Sequence, residues 1–173
     1  MRRLGIIVAL SAVLGMFGGM LTASPALAGR GPKWEFQPAP PTIILDPAFC
    51  GFAVQVTSVS KEFAKVLKTP EGSITFLITG SFRHSYTNLS TGKTITQNAS
   101  ASAKLTVNSD ESGTVASRGL TPAFLSPADA QRFGLPTVSV VAGALTYSMD
   151  PDGNITSLSL HGHVLVNVCA ALS

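Results

Sequence analysis

The strongest pattern in the chain is an alternation of apolar and polar residues with period two, the spacing at which successive strand side chains fall on opposite faces. It begins at Phe52, Val54 and Val56, with Gln55 and Thr57 on the other parity. The segment from Lys61 to Thr69 is ambiguous, because "KEFAKVL" also fits a short helical pattern. Its neighbours favour a second strand that ends at the turn Pro70-Glu71-Gly72. Ile74, Phe76, Ile78, Phe82, His84 and Tyr86 then share one parity, and Gly80 among them predicts a bulge or a sharp bend. After the turn Ser90-Thr91-Gly92, a long strand places Ile95, Ala99, Ala101, Ala103, Leu105 and Val107 on an inner face of mostly small residues. Asn108 to Gly113 makes the next turn, and Thr114 to Arg118 a further short strand. One helix signal interrupts: Ser126 as N-cap, Pro127 at the first helical position, Asp129 in the first turn, Arg132 near the end and Gly134 beyond it. Val138 to Met149 resumes strand, "DPDGN" from Asp150 to Asn154 turns the chain, and Ile155 to Cys169 runs out the last strand.

About eight or nine strands joined by short turns, with one short helix, predict an antiparallel all-β domain. A closed or nearly closed barrel is the expected architecture, because closure removes exposed strand edges; a two-sheet β-sandwich is the alternative.

The ends of the chain change where this domain is expected to work. Residues 1–28 read as a signal peptide: Arg2 and Arg3 precede the apolar run "LGIIVALSAVLGMFGGML", and Ala26-Leu27-Ala28 supplies a small-residue site with cleavage between Ala28 and Gly29. A lasting anchor is the rival, since the run approaches the ~20 residues that span a bilayer, but its glycine and serine breaks and the cleavage motif weigh against it. Residues 29–49 hold Pro32, Pro38, Pro40, Pro41 and Pro47, a composition that sustains neither a helix nor a central strand. They are expected to form an extended arm, whose "TIIL" docks along a sheet edge or over the open end of the domain, with the packing of Trp34 and Phe36 left open. Residues 50–173 are the barrel domain. Losing Arg2 and Arg3 leaves ten Lys and Arg against nine Asp and Glu, scattered along the chain, so no basic field for nucleic acid remains. A secreted, extracellular monomer without a membrane segment is the expectation.

In an exported chain, two cysteines 119 positions apart, Cys50 and Cys169, read as a disulfide rather than as catalytic thiols. Cys50 is expected to begin the first core strand and Cys169 to end the last, so that the bond closes the seam. His161 and His163 flank Gly162 in a strand, a spacing that can hold a transition metal, but three or four ligands are normally needed and the only other histidine is His84. Two histidines on a largely solvated face, with no metal and no cofactor, is the resulting expectation. His84 differs, because it falls between Phe82 and Tyr86 on the apolar parity. Should the barrel enclose a cavity, Phe76, Phe82, His84 and Tyr86 are its candidate lining, suited to a small amphipathic ligand. "DPDGN" is a hairpin turn rather than a calcium loop, since its glycine comes too early and no glutamate closes the pattern. The chain carries no G-x-S-x-G, phosphate loop or dinucleotide fingerprint, so no catalytic residue is assigned.

"AFCGFAVQV" after a signal peptide and a proline-rich arm, with "DPDGNI" one strand before a terminal "VNVCAALS", resembles a group of small secreted actinobacterial proteins of unknown function. The resemblance spans roughly Phe49 to Ser173; it implies an exported β-rich domain and supplies no active-site residues. The leading functional expectation is a non-catalytic binding or interaction module outside the cell. An enzyme using the barrel interior, of cyclase-like or dirigent-like type, is the rival, and a structural cell-surface protein that contacts a cell-wall polymer is the third. A cavity separates them, because a collapsed interior would remove the first rival and any enclosed ligand together.

Overall fold

The computed structural model describes residues 32–69 and 71–173. The signal-peptide reading, with its site at Ala28 and Gly29, lies outside the described residues. Nine strands form one antiparallel sheet: β1 (Glu35–Gln37), β2 (Ile43–Leu45), β3 (Val54–Lys68), β4 (Ile74–Asn88), β5 (Thr94–Asn98), β6 (Ala101–Val107), β7 (Gly113–Phe124), β8 (Val138–Met149) and β9 (Ile155–Asn167). Among the described residues three short helices accompany them: α1 (Pro47–Cys50), α2 (Pro127–Phe133) and α3 (Val168–Leu172). The hydrogen-bonded order is β1-β3-β4-β6-β7-β8-β9, with β2 also on β3 and β5 on β4. The all-β antiparallel expectation is met, whereas no hydrogen-bonded pairing joins β9 back to the first strands, so the ladder itself is not closed.

Several strands are longer than the periodicity alone marks out. β3 and β4 pair without interruption from Val54↔Asn88 to Lys68↔Ile74, so "KEFAKVL" is the second half of one strand, not a separate element or a helix. Its helical pattern loses to fifteen residues of continuous pairing, which put Phe63 outward and Ala64 inward. The long strand expected after Gly92 is interrupted at Ala99–Ser100, where the Asn98 side-chain carbonyl accepts from the Ser100 backbone N–H at 3.0 Å and from its hydroxyl. The strand expected to stop at Arg118 continues to Phe124 through Pro122. Proline is tolerated there because β6 ends its pairing at Ala101↔Gly119, leaving β7 with a single neighbour beyond that point.

The arm is part of the sheet. β1 pairs with Glu62 to Ala64 and β2 with Val54 to Val56, both on the side of β3 that β4 leaves free, and Leu45 is fully buried. Docking along an edge is therefore the outcome for "TIIL", while Trp34 and Phe36 stay about half exposed. The proline-rich arm also holds one helical turn, contrary to expectation. Asp46 caps it by accepting from the Ala48 N–H at 2.8 Å, and Pro47 occupies the first position, where a missing N–H costs nothing. α2 follows its sequence signal: the Ser126 hydroxyl accepts from the Asp129 N–H at 3.1 Å, and Gly134 ends the helix in the left-handed region. The hairpin at Asp150–Asn154 also forms, with the Asp150 carboxylate accepting from the Asn154 N–H at 2.8 Å.

What bends the sheet is a row of small residues at one level across it. Ala101 pairs with Gly119, Gly119 with Gly143 and Gly143 with Gly162, while Gly80 on β4 faces Glu62 on β3. Gly80, Gly119 and Gly143 have φ of 138°, 125° and 126°, a region that side-chain-bearing residues rarely enter. At Gly80 the register runs on unshifted, so the predicted irregularity is a bend rather than a bulge; the shifts in register occur on β8, at Val140/Val141 and Ser148/Met149. The bent sheet brings distant strands together. Leu45 of β2, Val54 and Val56 of β3, Tyr86 of β4, Val138 of β8 and Val168 and Leu172 of α3 form one buried cluster.

Cys50 and Cys169 are bonded, with Cα atoms 5.1 Å apart. Their setting differs from the expected one: Cys50 ends the turn before β3, and Cys169 lies in α3, because β9 stops at Asn167. The Asn167 side chain caps α3 by accepting from the Ala170 N–H at 3.1 Å, and this cap competes with continued pairing. The bond thus ties two helical turns, both packed on the buried cluster, rather than two paired strands. Among the described residues, no helix is long and apolar enough to cross a membrane.

Candidate functional site

Inside the bend lies a cavity of about 220 Å³. β3 contributes Glu62; β4 contributes Ile78, Phe82 and His84; β6 contributes Ala101, Ala103 and Leu105. β7, β8 and β9 close it with Val115, Ser117, Thr121, Leu145, Tyr147 and Leu158, and Pro40 of the arm also reaches it. The alternation reads directly into this wall: even positions of β3 and β4 and odd positions of β6, β7 and β8 face inward. Small residues at Ala99, Ala101 and Ala103 on this wall leave the middle of the space unfilled.

Of the four residues singled out by parity, Phe82 and His84 line the cavity, Tyr86 is buried in the adjoining cluster, and Phe76 is not among the lining residues. The His84 ring lies 4.5 Å from the Phe82 ring and 6.1 Å from that of Phe124, edge to face in both cases. Its Nδ1 shares a hydrogen bond of 2.9 Å with the Ser58 hydroxyl. Burial among these rings lowers its pKa to about 4, so the imidazole is neutral at physiological pH. Desolvation likewise raises the Tyr86 phenol above its ordinary range, and its hydroxyl is buried without a hydrogen-bond partner.

Glu62 is the candidate site residue that the periodicity did not yield. It is the single charged residue among the described cavity walls. Desolvation raises its carboxyl to about 7, against the smaller opposing effect of the Ser60 hydroxyl, and no neighbouring cation contributes. The signal was present but hidden by the helical pattern of "KEFAKVL". Once β3 is continuous, Glu62 shares the inward parity of Val54, Val56, Ser58, Ser60 and Ala64 and is the one acidic group on it. Opposite it on β1, Gln37 is buried, and its Oε1 accepts no hydrogen bond. On the far wall the Thr121 hydroxyl donates to Ser117 Oγ at 2.9 Å.

His161 and His163 project from the opposite face of β9 and are exposed, and among the described residues no group of three or more His, Cys, Asp or Glu could hold a metal ion. A second, open depression of about 540 Å³ lies on the outer face, where Trp34, Lys104 and Arg118 meet Leu77, Ala116 and Thr146. Compared with known proteins, the chain matches no family model, no curated protein and no solved structure.

Proposed function

We propose that the protein is an exported, disulfide-tied β-barrel that acts as a non-catalytic binding module for one small, mostly apolar ligand carrying a single polar group. The observation that carries this reading is the cavity itself: apolar walls drawn from six strands, with Glu62 and His84 as convergent polar groups. In this reading the glycine row curls the sheet until its edges face one another, and α1, α3 and the Cys50–Cys169 bond cover the unpaired seam. At about 220 Å³ the space is below the ~300–1,000 Å³ of pockets that hold drug-sized molecules, which restricts the ligand to a single ring or a short chain. Export to the extracellular space rests on residues 1–28 and on the disulfide, and kinship with the actinobacterial group rests on the two cysteine-bearing ends. With Arg2 and Arg3 removed, ten Lys and Arg against nine Asp and Glu support a protein that does not bind nucleic acid.

Protein purified from its own culture fluid should retain a small molecule that untargeted mass spectrometry identifies. An Ala103→Phe variant, whose new ring would fill the cavity, should retain none. Equal retention by both proteins, or an empty wild type that also binds no member of a fragment library, would overturn the proposal.

A second reading, an enzyme of cyclase-like or dirigent-like type, is favoured by Glu62. A carboxyl held at about 7 in an apolar site is matched to proton transfer at neutral pH. Turnover of a retained ligand by wild type and not by Glu62→Gln would establish it over simple binding.

A further inference from the structure

Resting on the cavity reading above, the geometry points to a small apolar amine as the ligand class: its ammonium pairs with the Glu62 carboxylate while its hydrocarbon body occupies the space beside Phe82. Among the described residues the walls present one acid and no lysine, arginine or aspartate, so the half-buried carboxylate there lacks the partner that would offset its desolvation. A cationic ligand supplies that partner. The groups around Glu62 provide no competing one: β4 places Gly80 directly opposite, β1 places Gln37 opposite on the other side with Glu35 two rungs away, and Ser60 lies on the same face of β3. His84, further along β4, is neutral.

Gln37 gives an independent indication of the same chemistry. Its side chain is 4% exposed, its Nε2 donates to the Glu35 carbonyl at 3.2 Å, and its Oε1 is a buried acceptor without a donor. A carboxylate and an unsatisfied amide oxygen on neighbouring strands call for a group with several N–H donors, which an ammonium has and an alcohol or a carbonyl lacks. The aromatic edge formed by Phe82, His84 and Phe124 suits a ring or short chain as the body of that ligand. Gly80 lets β4 lie close against β3 at this level, since any side chain there would meet the backbone of Lys61 and Glu62.

Isothermal titration at pH 8, where Glu62 is ionised, with benzylamine and its neutral isosteres benzyl alcohol and toluene tests the assignment. Benzylamine is expected to bind at least about tenfold more tightly than benzyl alcohol. In Glu62→Gln that preference should vanish, while benzyl alcohol affinity stays within about threefold of wild type. Should benzyl alcohol or toluene bind as well as benzylamine, or should the preference persist in Glu62→Gln, the amine assignment fails and the cavity reading stands. If none of the three binds wild type, the cavity reading fails and the assignment with it. Circular dichroism of Glu62→Gln verifies that the sheet is intact, and Glu62→Asp, which keeps the charge, should restore a reduced preference for the amine.

Discussion

Replacing His84 with glutamine and following stability against pH measures what the buried imidazole costs. Burial holds His84 at about 4 in the folded protein, against 6.5 for the free side chain. Between those values the unfolded chain binds a proton that the folded protein does not. The contribution of His84 is therefore fully present above about 6.5, is lost as pH falls toward 4, and changes no further below that. The gap corresponds to ~3 kcal/mol at about 1.36 kcal/mol per pH unit. Some solvent contact and the hydrogen bond to Ser58 reduce the working figure to about 2 kcal/mol. Urea unfolding followed by far-ultraviolet circular dichroism from pH 4 to 8 gives the two curves. Glu62 and the exposed carboxylates Glu71, Asp110 and Asp150 contribute to both, so the difference isolates His84. Wild type should lose about 2 kcal/mol relative to His84→Gln between pH 7 and pH 4, on top of any constant packing offset. A difference that stays constant over that range refutes a buried neutral imidazole, as does a ring that titrates near 6.5 by nuclear magnetic resonance.

Glu62 should behave in the opposite sense. Its raised value of about 7 means that the folded protein binds the extra proton between 4.5 and 7, so Glu62→Gln should gain stability relative to wild type as pH rises through that window; a flat or falling difference contradicts its burial. Reducing the Cys50–Cys169 bond releases a loop closed over 119 residues, worth ~5 kcal/mol in the chain-entropy model, and a measured loss of roughly 3–5 kcal/mol in denaturant unfolding is expected. A loss under about 1 kcal/mol would show that packing of Val168 and Leu172 alone holds α3 in place. Gly143→Ala should cost upwards of about 2 kcal/mol, because its φ of 126° and the adjacent His161 carbonyl both exclude a side chain. Gly134→Ala, at φ 66° with open space around it, should cost about 1 kcal/mol, and equal losses would deny the row its role in bending the sheet.

Local chemistry was legible wherever a few adjacent residues settle the conformation. Ser126, Pro127 and Gly134 delimit α2 without help from the rest of the chain, and Asp150 to Asn154 specify a turn by themselves. Strand parity also placed Phe82 and His84 on the cavity side. Where two periods overlap, local reading fails: "KEFAKVL" is a helical pattern in isolation, and only fifteen rungs of pairing with β4 make it strand and turn Glu62 inward. The extension of β7 from Arg118 to Phe124 is hidden for a related reason, since the cost of Pro122 depends on whether β6 still runs beside it, which is a property of the sheet. The glycine row is dispersed over four strands, at Gly80, Gly119, Gly143 and Gly162, and becomes a row only through register. The helical settings of Cys50 and Cys169 depend on the caps at Asp46 and Asn167, which sequence periodicity passes over.

The claim on which the rest depends is that the bent sheet holds a fillable space beside Phe82. Apolar cavities of this kind take up xenon, and crystals of the mature protein pressurised with the gas would reveal the space by anomalous scattering. Xenon bound between Phe82, Ala103, Leu145 and Leu158, and absent from Ala103→Phe crystals, is the predicted result. Side chains closed together at that position, with no xenon in wild type, would contradict it.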